Sequence, residues 1–369
     1  MIVKKRALII LLFLAALVLT ALACKTLLPG YTTSDPISIQ ATEPLSKGSP
    51  PASGALAPPI EQPVTSILLQ GPAARSESEI SGLAWYRDHL VLLPQYPKRG
   101  GKGRDGSLWS IPKSDILAYL TGNISAPLKP TSIPLDAGGI DKRIPGFEGF
   151  EAIVFLNDQV FLTIEAHGGA SMRGYLIKGE ISPDLSAIHL DPASLTENYL
   201  QANWVNSSDE SILIATGEVL TLYELNGLEL NPKPHATRFD TDLNLLGNIP
   251  YPRIEFRVTD ATQLDDQLRF WVINYFFPGD QEQATDQDLL AQQYGRGATH
   301  AGSQIVERLV ELQYSPQSIT LVETPPIQLQ LRSDGEARNW EGIVRLDEMG
   351  FLLVTDKYPE TILGFVGFP

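Results

Sequence analysis

Cysteine is nearly absent: Cys24 is the only one in 369 residues. No disulfide can form within one chain, and no thiol nucleophile remains once Cys24 is otherwise accounted for. Histidine is scarce too, with His89, His167, His189, His235 and His300. None shows the paired spacing of a zincin-type zinc site. There is no Gly-x-Ser-x-Gly elbow, which disfavours esterase chemistry through an activated serine. Positive charge is short, 28 Lys and Arg against 43 Asp and Glu, for a net charge of −15. That balance excludes nucleic acid as a partner, because phosphate-backbone binding needs clustered cations. The one basic stretch, Lys98-Arg99-Gly100-Gly101-Lys102-Gly103-Arg104, lacks P-loop spacing. It reads as a solvated turn or as an anion-attracting lip.

The N-terminus is a targeting segment. Lys4, Lys5 and Arg6 precede an almost wholly apolar run over 7–23, and Cys24 follows at once. That order is a secretory signal. The string Ala21-Leu22-Ala23-Cys24 resembles the bacterial lipobox, with Ala21 where Leu is more usual. The expectation is a signal peptide over 1–23, a lipid on Cys24 and an extracytoplasmic protein anchored to a bacterial membrane. Residues 24–63 are rich in Pro, Ser and Thr and read as a disordered tether.

Helical periodicity is scarce over 64–369. Short apolar runs bounded by Gly, Pro, Asn and Asp dominate, which is strand patterning. A hairpin phrase recurs. Ser81-Gly82-Leu83-Ala84-Trp85 leads to Leu90-Val91-Leu92-Leu93, Glu151-Ala152-Ile153 to Phe161-Leu162-Thr163-Ile164-Glu165, and Glu341-Gly342-Ile343 to Leu353-Val354-Thr355-Asp356. A third unit is read from Asn203-Trp204-Val205-Asn206, with Trp204 matching Trp340 and no Glu at the matching place. A fourth is read from Val258-Thr259-Asp260-Ala261. One hairpin cannot bury its apolar face alone, so the repeat predicts an all-β fold, a single β-propeller of five blades. A sixth blade has room between Gly106 and Pro145 or within 280–335. Val64–Gln70 is expected to pair with the last strand, Ile362–Phe368, and close the ring. The polar insertion 279–304 reads as a short helix over one face or as a solvated excursion.

Three acids, Glu151, Asp260 and Glu341, stand at similar places in the repeats, and Glu165 and Asp356 end the following strands. A ring of carboxylates on one axis repels itself unless it takes a cation, a proton or a basic partner. Ca²⁺, with six to eight oxygen ligands, suits such a ring. Alternatively each acid caps backbone N–H groups of a neighbouring blade. Arg257, Arg338 and Lys357 either pair with these acids or clamp an anion. His167, just after a strand, is a further candidate at the mouth.

The ordered set of Ser-Gly-Leu, Glu-Ala-Ile, Asp-Ala and Glu-Gly-Ile phrases over roughly 75–365 resembles the phytase-like propeller family, whose domain name cites an esterase-like activity of phytase. The resemblance implies a propeller with a polar axial channel. It also implies a Ca²⁺-dependent phosphoesterase in which Glu151, Asp260, Glu341, Glu165 and Asp356 hold the metal. Arg257, Arg338, Lys357 and His167 would then contact a small anionic substrate. The alternative is a non-catalytic lipoprotein that binds a surface protein or glycan.

Overall fold

The computed structural model describes residues 59–369 apart from 101, 102, 170, 203, 205, 281, 282, 284 and 286. The signal segment, Cys24 and nearly all of the 24–63 tether lie outside the described residues.

The fold is all-β and propeller-like. Four sheets hold five successive sets of mainly antiparallel strands, the first two sets being joined into one nine-stranded sheet by the parallel pairing of Thr131–Asp136 with Ile188–Leu190. The first holds Ile80–Tyr86, His89–Pro94, Ser107–Pro112 and Thr131–Asp136. The second holds Phe147–Leu156, Gln159–Gly168, Ser171–Ile181 and Ile188–Leu190. The third is Asp209–Ala215, Glu218–Tyr223, His235–Phe239 and Leu245–Pro250. The fourth is Arg257–Ala261, Arg269–Phe276, Val306–Ser315 and Ile327–Leu329. The fifth is Trp340–Leu346, Gly350–Thr355 and Leu363–Gly367, with Thr65–Ile67 alongside. The leading strands of successive sets pack against one another, and the fifth packs back on the first, which makes a ring. Residues 106–145 and 280–335 hold strands that complete the first and fourth sets.

Why these strands are apolar along their whole length follows from the ring. Side chains of a strand alternate between its two faces. In His89–Pro94, Val91 and Leu93 pack into a core with Ile153 and Leu162 of the second set. Leu90 and Leu92 pack the other way, with Val344 and Leu352 of the fifth. Phe351 and Leu353 likewise meet Ile273 and Leu309 of the fourth set, while Leu352 and Val354 turn to the first. A sheet between two sheets buries both faces, so its central strands lose the polar alternation of a half-exposed sheet. Each fully buried Leu contributes about 2 kcal/mol.

Thr65, Ser66 and Ile67 pair with Phe365, Gly364 and Leu363. Five residues earlier the chain is also engaged. Glu61–Gln62 runs parallel to Ile327–Leu329, inside the stretch expected to be tether. The Glu61 carboxylate accepts from the Thr299 and His300 N–H groups, at 3.0 and 3.1 Å, from the Thr299 hydroxyl at 2.8 Å and from His300 Nδ1 at 2.8 Å.

The third leading strand is Asp209–Ala215 and does not include Trp204, which itself stands outside any strand. Trp340, its supposed match, is a fully buried strand residue. The insertion does form a helix, Leu289–Tyr294. It does not line the axis. Asp288 caps it and is held by Arg308 at 2.8 and 2.9 Å, which fastens it to the fourth set.

Candidate functional site: an acidic axial funnel

Every leading strand carries a register irregularity in its first half, and the second carries two. The first residues displaced at these bulges, taking the later of the two in the second strand, are Ser81, Glu151, Glu210, Thr259 and Glu341, with Ala152 and Asp260 also unpaired. A bulge adds a residue and re-aims a side chain. Here it turns one residue per set toward the axis. Where that residue is a hydroxyl, it ties to the next leading strand: Ser81 donates to the Phe150 carbonyl at 2.7 Å, and Thr259 to the Trp340 carbonyl at 2.5 Å. The other three positions are glutamates.

At Gly82 and Gly342, the residues after the bulge, the neighbouring chain is close. A Cβ on Gly82 would lie 3.3 Å from the Glu151 carbonyl oxygen, and one on Gly342 would lie 3.0 Å from the Leu83 nitrogen. Gly82, Ala152, Ser211 and Gly342 fill this place, and Asp260 fills it in the fourth set. Asp260 is therefore one position out of phase with the glutamates. It is 2 % exposed and does not line the funnel. Its oxygens accept from the Ala261 and Ile343 N–H groups, both at 2.8 Å. It is a backbone cap between sets, not a ring ligand.

A second tier comes from the second strands. Gln95, Glu165, Glu224, Tyr275 and Asp356 follow the residues that pair just before each bulge. Four of these five line the cavity, whose volume is about 660 Å³, together with Glu151, Glu210 and Glu341. Gln95 Nε2 donates to Glu151 at 3.0 Å, and Asn339 Nδ2 donates to Glu341 at 2.6 Å. Asp356 accepts from the Tyr358 N–H at 2.7 Å. Phe277 and Tyr358 add aromatic surface, and Tyr275 and Phe277 stack at 6.2 Å.

Burial and mutual repulsion hold protons on these acids. Burial, then the neighbouring Glu224, pushes Glu165 up to about 8. Burial first and Glu165 second raise Glu151 well above the usual carboxylate range. Burial and then Asp356 do the same to Glu341, and burial and then Glu224 to Glu210. Asp356 is raised by burial, opposed by its donors and by Lys357. Glu165 thus keeps its proton at neutral pH, a state suited to general acid work.

Glu151, Glu165, Glu341, Asp356, Arg257 and Lys357 line this one cavity. Arg338 does not. It is buried against Glu307, donating from Nε at 2.8 Å and from its own N–H at 2.9 Å. His167 is exposed and away from the cavity. Glu210 and Glu224 were missed because the third unit was set too early in the sequence. A shift to Asp209-Glu210-Ser211-Ile212, which has the same acid-small-apolar order, finds them.

The phosphoesterase expectation fails on the same geometry. Arg257 is engaged by Glu224 and by Asp280 at 2.8 Å, and Lys357 lies 3.3 Å from Glu79. Neither is left to clamp a phosphate. Lys98 and Arg99 of the basic loop are likewise paired, with Asp141 and Glu79 at 2.7 Å each. Among the described residues, no group of three or more His, Cys, Asp or Glu is placed to hold a metal ion. Asp260, which caps backbone, does not belong to the expected ring of acids.

No protein-family description matches the sequence. No curated protein matches it either. Solved structures do. An exo-1,5-α-L-arabinanase from a bovine ruminal metagenomic library is 8% identical, with 81% of this chain and 95% of that chain covered and a TM-score of 0.43. A thermostable family-43 glycoside hydrolase is 12% identical, with 79% and 93% covered and a TM-score of 0.45. A GH130-family structure, reported with glycoside hydrolases that target β-1,2 mannosidic linkages in Candida mannan, is 11% identical, with 87% and 93% covered and a TM-score of 0.46. Likeness this distant assigns no activity. The similar solved structures are glycoside hydrolases and not phytase-like propellers, so the phytase-like resemblance is not upheld. The phrases that carried it, an acid or hydroxyl followed by a small residue and an apolar run, are the bulge and close approach that the ring itself requires.

Proposed function

We propose that the funnel binds a saccharide and hydrolyses a glycosidic bond. The observation that carries this is the meeting of carboxyl groups from several sets in one open cavity, with Glu165 held protonated near neutral pH. Glycoside cleavage needs one carboxyl group that gives a proton and one that takes it. Glu165 donates its proton to the glycosidic oxygen as the C–O bond breaks. Asp356, which has N–H donors and the Lys357 ammonium beside it, takes the proton of the attacking water. Gln95 and Asn339 orient neighbouring acids, and Tyr275, Phe277 and Tyr358 offer faces for sugar rings. Glycoside hydrolysis is also the chemistry named for the similar solved structures.

The test is turnover of a panel of nitrophenyl glycosides and oligosaccharides, followed by released chromophore or reducing ends. Glu165→Gln is expected to lower the rate by about 100-fold or more. A chain that neither binds nor cleaves any saccharide in the panel removes the reading.

We propose further that the five strand sets are five blades, closed by Thr65–Ile67 on Leu363–Gly367. The ring of leading strands supports this. Anchoring through a lipid on Cys24 outside the cytoplasm is part of the same proposal. A Cys24→Ser chain is then expected in the soluble fraction of the producing cell.

A further inference from the structure

We propose that the funnel selects saccharides that carry free amino groups, with a ligand ammonium seated against Glu210. This rests on the saccharide reading and deepens it.

Charge balance comes first. Eight acidic and two basic side chains line the cavity. Both basic groups are already engaged, Arg257 by Glu224 and Asp280 and Lys357 by Glu79. An anionic ligand would meet eight carboxyl groups and no unengaged cation. A neutral sugar is tolerated but draws no ionisation from the acids.

Glu210 is the second observation. It faces the cavity and is 9 % exposed, and no hydrogen bond joins its carboxyl group to another described residue, while the Arg257 guanidinium acts on it only through its charge. Its counterparts at the other two acidic bulges each have an amide donor, Gln95 for Glu151 and Asn339 for Glu341. A nine-tenths buried carboxyl group without a partner costs free energy unless something reaches it. An ammonium fits. It brings three donors and a positive charge to a place where carboxyl oxygens stand on several sides. A hydroxyl brings one donor and no charge. When the ammonium enters, Glu210 or an adjacent acid gives up its proton, because an opposite charge at close range favours the ionised form. Binding therefore releases protons.

The experiment titrates the full chain, by calorimetry at about pH 6, where sugar amines are protonated. Three oligomers of equal length are compared: β-1,4-linked glucosamine, its N-acetylated form, and the β-1,4 glucose oligomer. Two buffers of different ionisation heat report proton release. The glucosamine oligomer is expected to bind at least about tenfold tighter than both neutral ones and alone to release protons. Glu210→Gln, isosteric and checked by thermal melting, is expected to bring the three affinities together. If neutral oligomers bind as tightly as the amine, the inference fails while the saccharide reading stands. If no oligomer binds, both fail. A preference that survives in Glu210→Gln overturns the seat assigned to Glu210. Binding of a simple diamine without the amino oligomer overturns the inference as well.

Discussion

A single position decides what each acid does. Glu151, Glu210 and Glu341 are lifted by bulges toward the axis, and Asp260, one residue later in its own strand, is turned into the backbone of its neighbours. Its removal leaves two buried N–H groups without acceptors. Asp260→Ala is expected to lower stability by about 3 kcal/mol in urea unfolding. Glu165 gives a pH dependence with a definite sign. Its value rises from 4.5 to about 8 in the native protein, so between those values the native chain keeps a proton that the unfolded chain has lost. The stability this lends is complete below about 4.5 and disappears as pH climbs through about 8. Denaturation midpoints should therefore fall from about pH 5 to about pH 8, and less steeply in Glu165→Gln. A flat profile in the parent chain contradicts the buried, protonated Glu165.

Among the elements, the shortest is one of the most telling. Glu61–Gln62 is two residues long, yet the Glu61 side chain collects the N–H groups and the hydroxyl at the 299–300 turn. Its carboxylate is held below the usual range by His300 and Thr299, against the opposing effect of burial. The described chain thus enters the fold through a charged plug and not a slack linker. Glu61→Ala is expected to cost about 2 kcal/mol and to speed amide exchange at residues 297–300 and 327–329. Unchanged exchange there would mean that the plug holds nothing. The helix Leu289–Tyr294 shows the same economy. The expectation of an element over the funnel gave way to one fastened by the Asp288–Arg308 pair, and Asp280, before the helix, is the insertion's residue at the cavity.

For the whole molecule, the ring makes each sheet depend on two others. Strand Gly350–Thr355 sends Phe351 and Leu353 to the fourth set and Leu352 and Val354 to the first. Deleting 363–369 removes the partner of both Gly350–Thr355 and Thr65–Ile67 and exposes two edges. Such a chain is expected to lose its cooperative thermal transition. A truncated protein that still melts sharply rejects the proposed closure.

The all-β class, the hairpin phrase and the pairing partners at 64–70 and 362–368 were legible in residue order, because short apolar runs and the turn residues that bound them act over a few positions. So were Glu151, Glu165, Glu341 and Asp356, which share local phrases. Glu210 and Glu224 were hidden by a frame error of a few residues, and Arg338 by a partner, Glu307, that stands 31 positions away. Sequence by itself determined the all-β class and the apolar runs that become most of the central strands. Tertiary structure alone decided which acids share a cavity, which cap backbone and which cations are already taken. Those outcomes depend on one-residue bulges and on contacts between distant sets, and neither leaves a periodic trace in the chain.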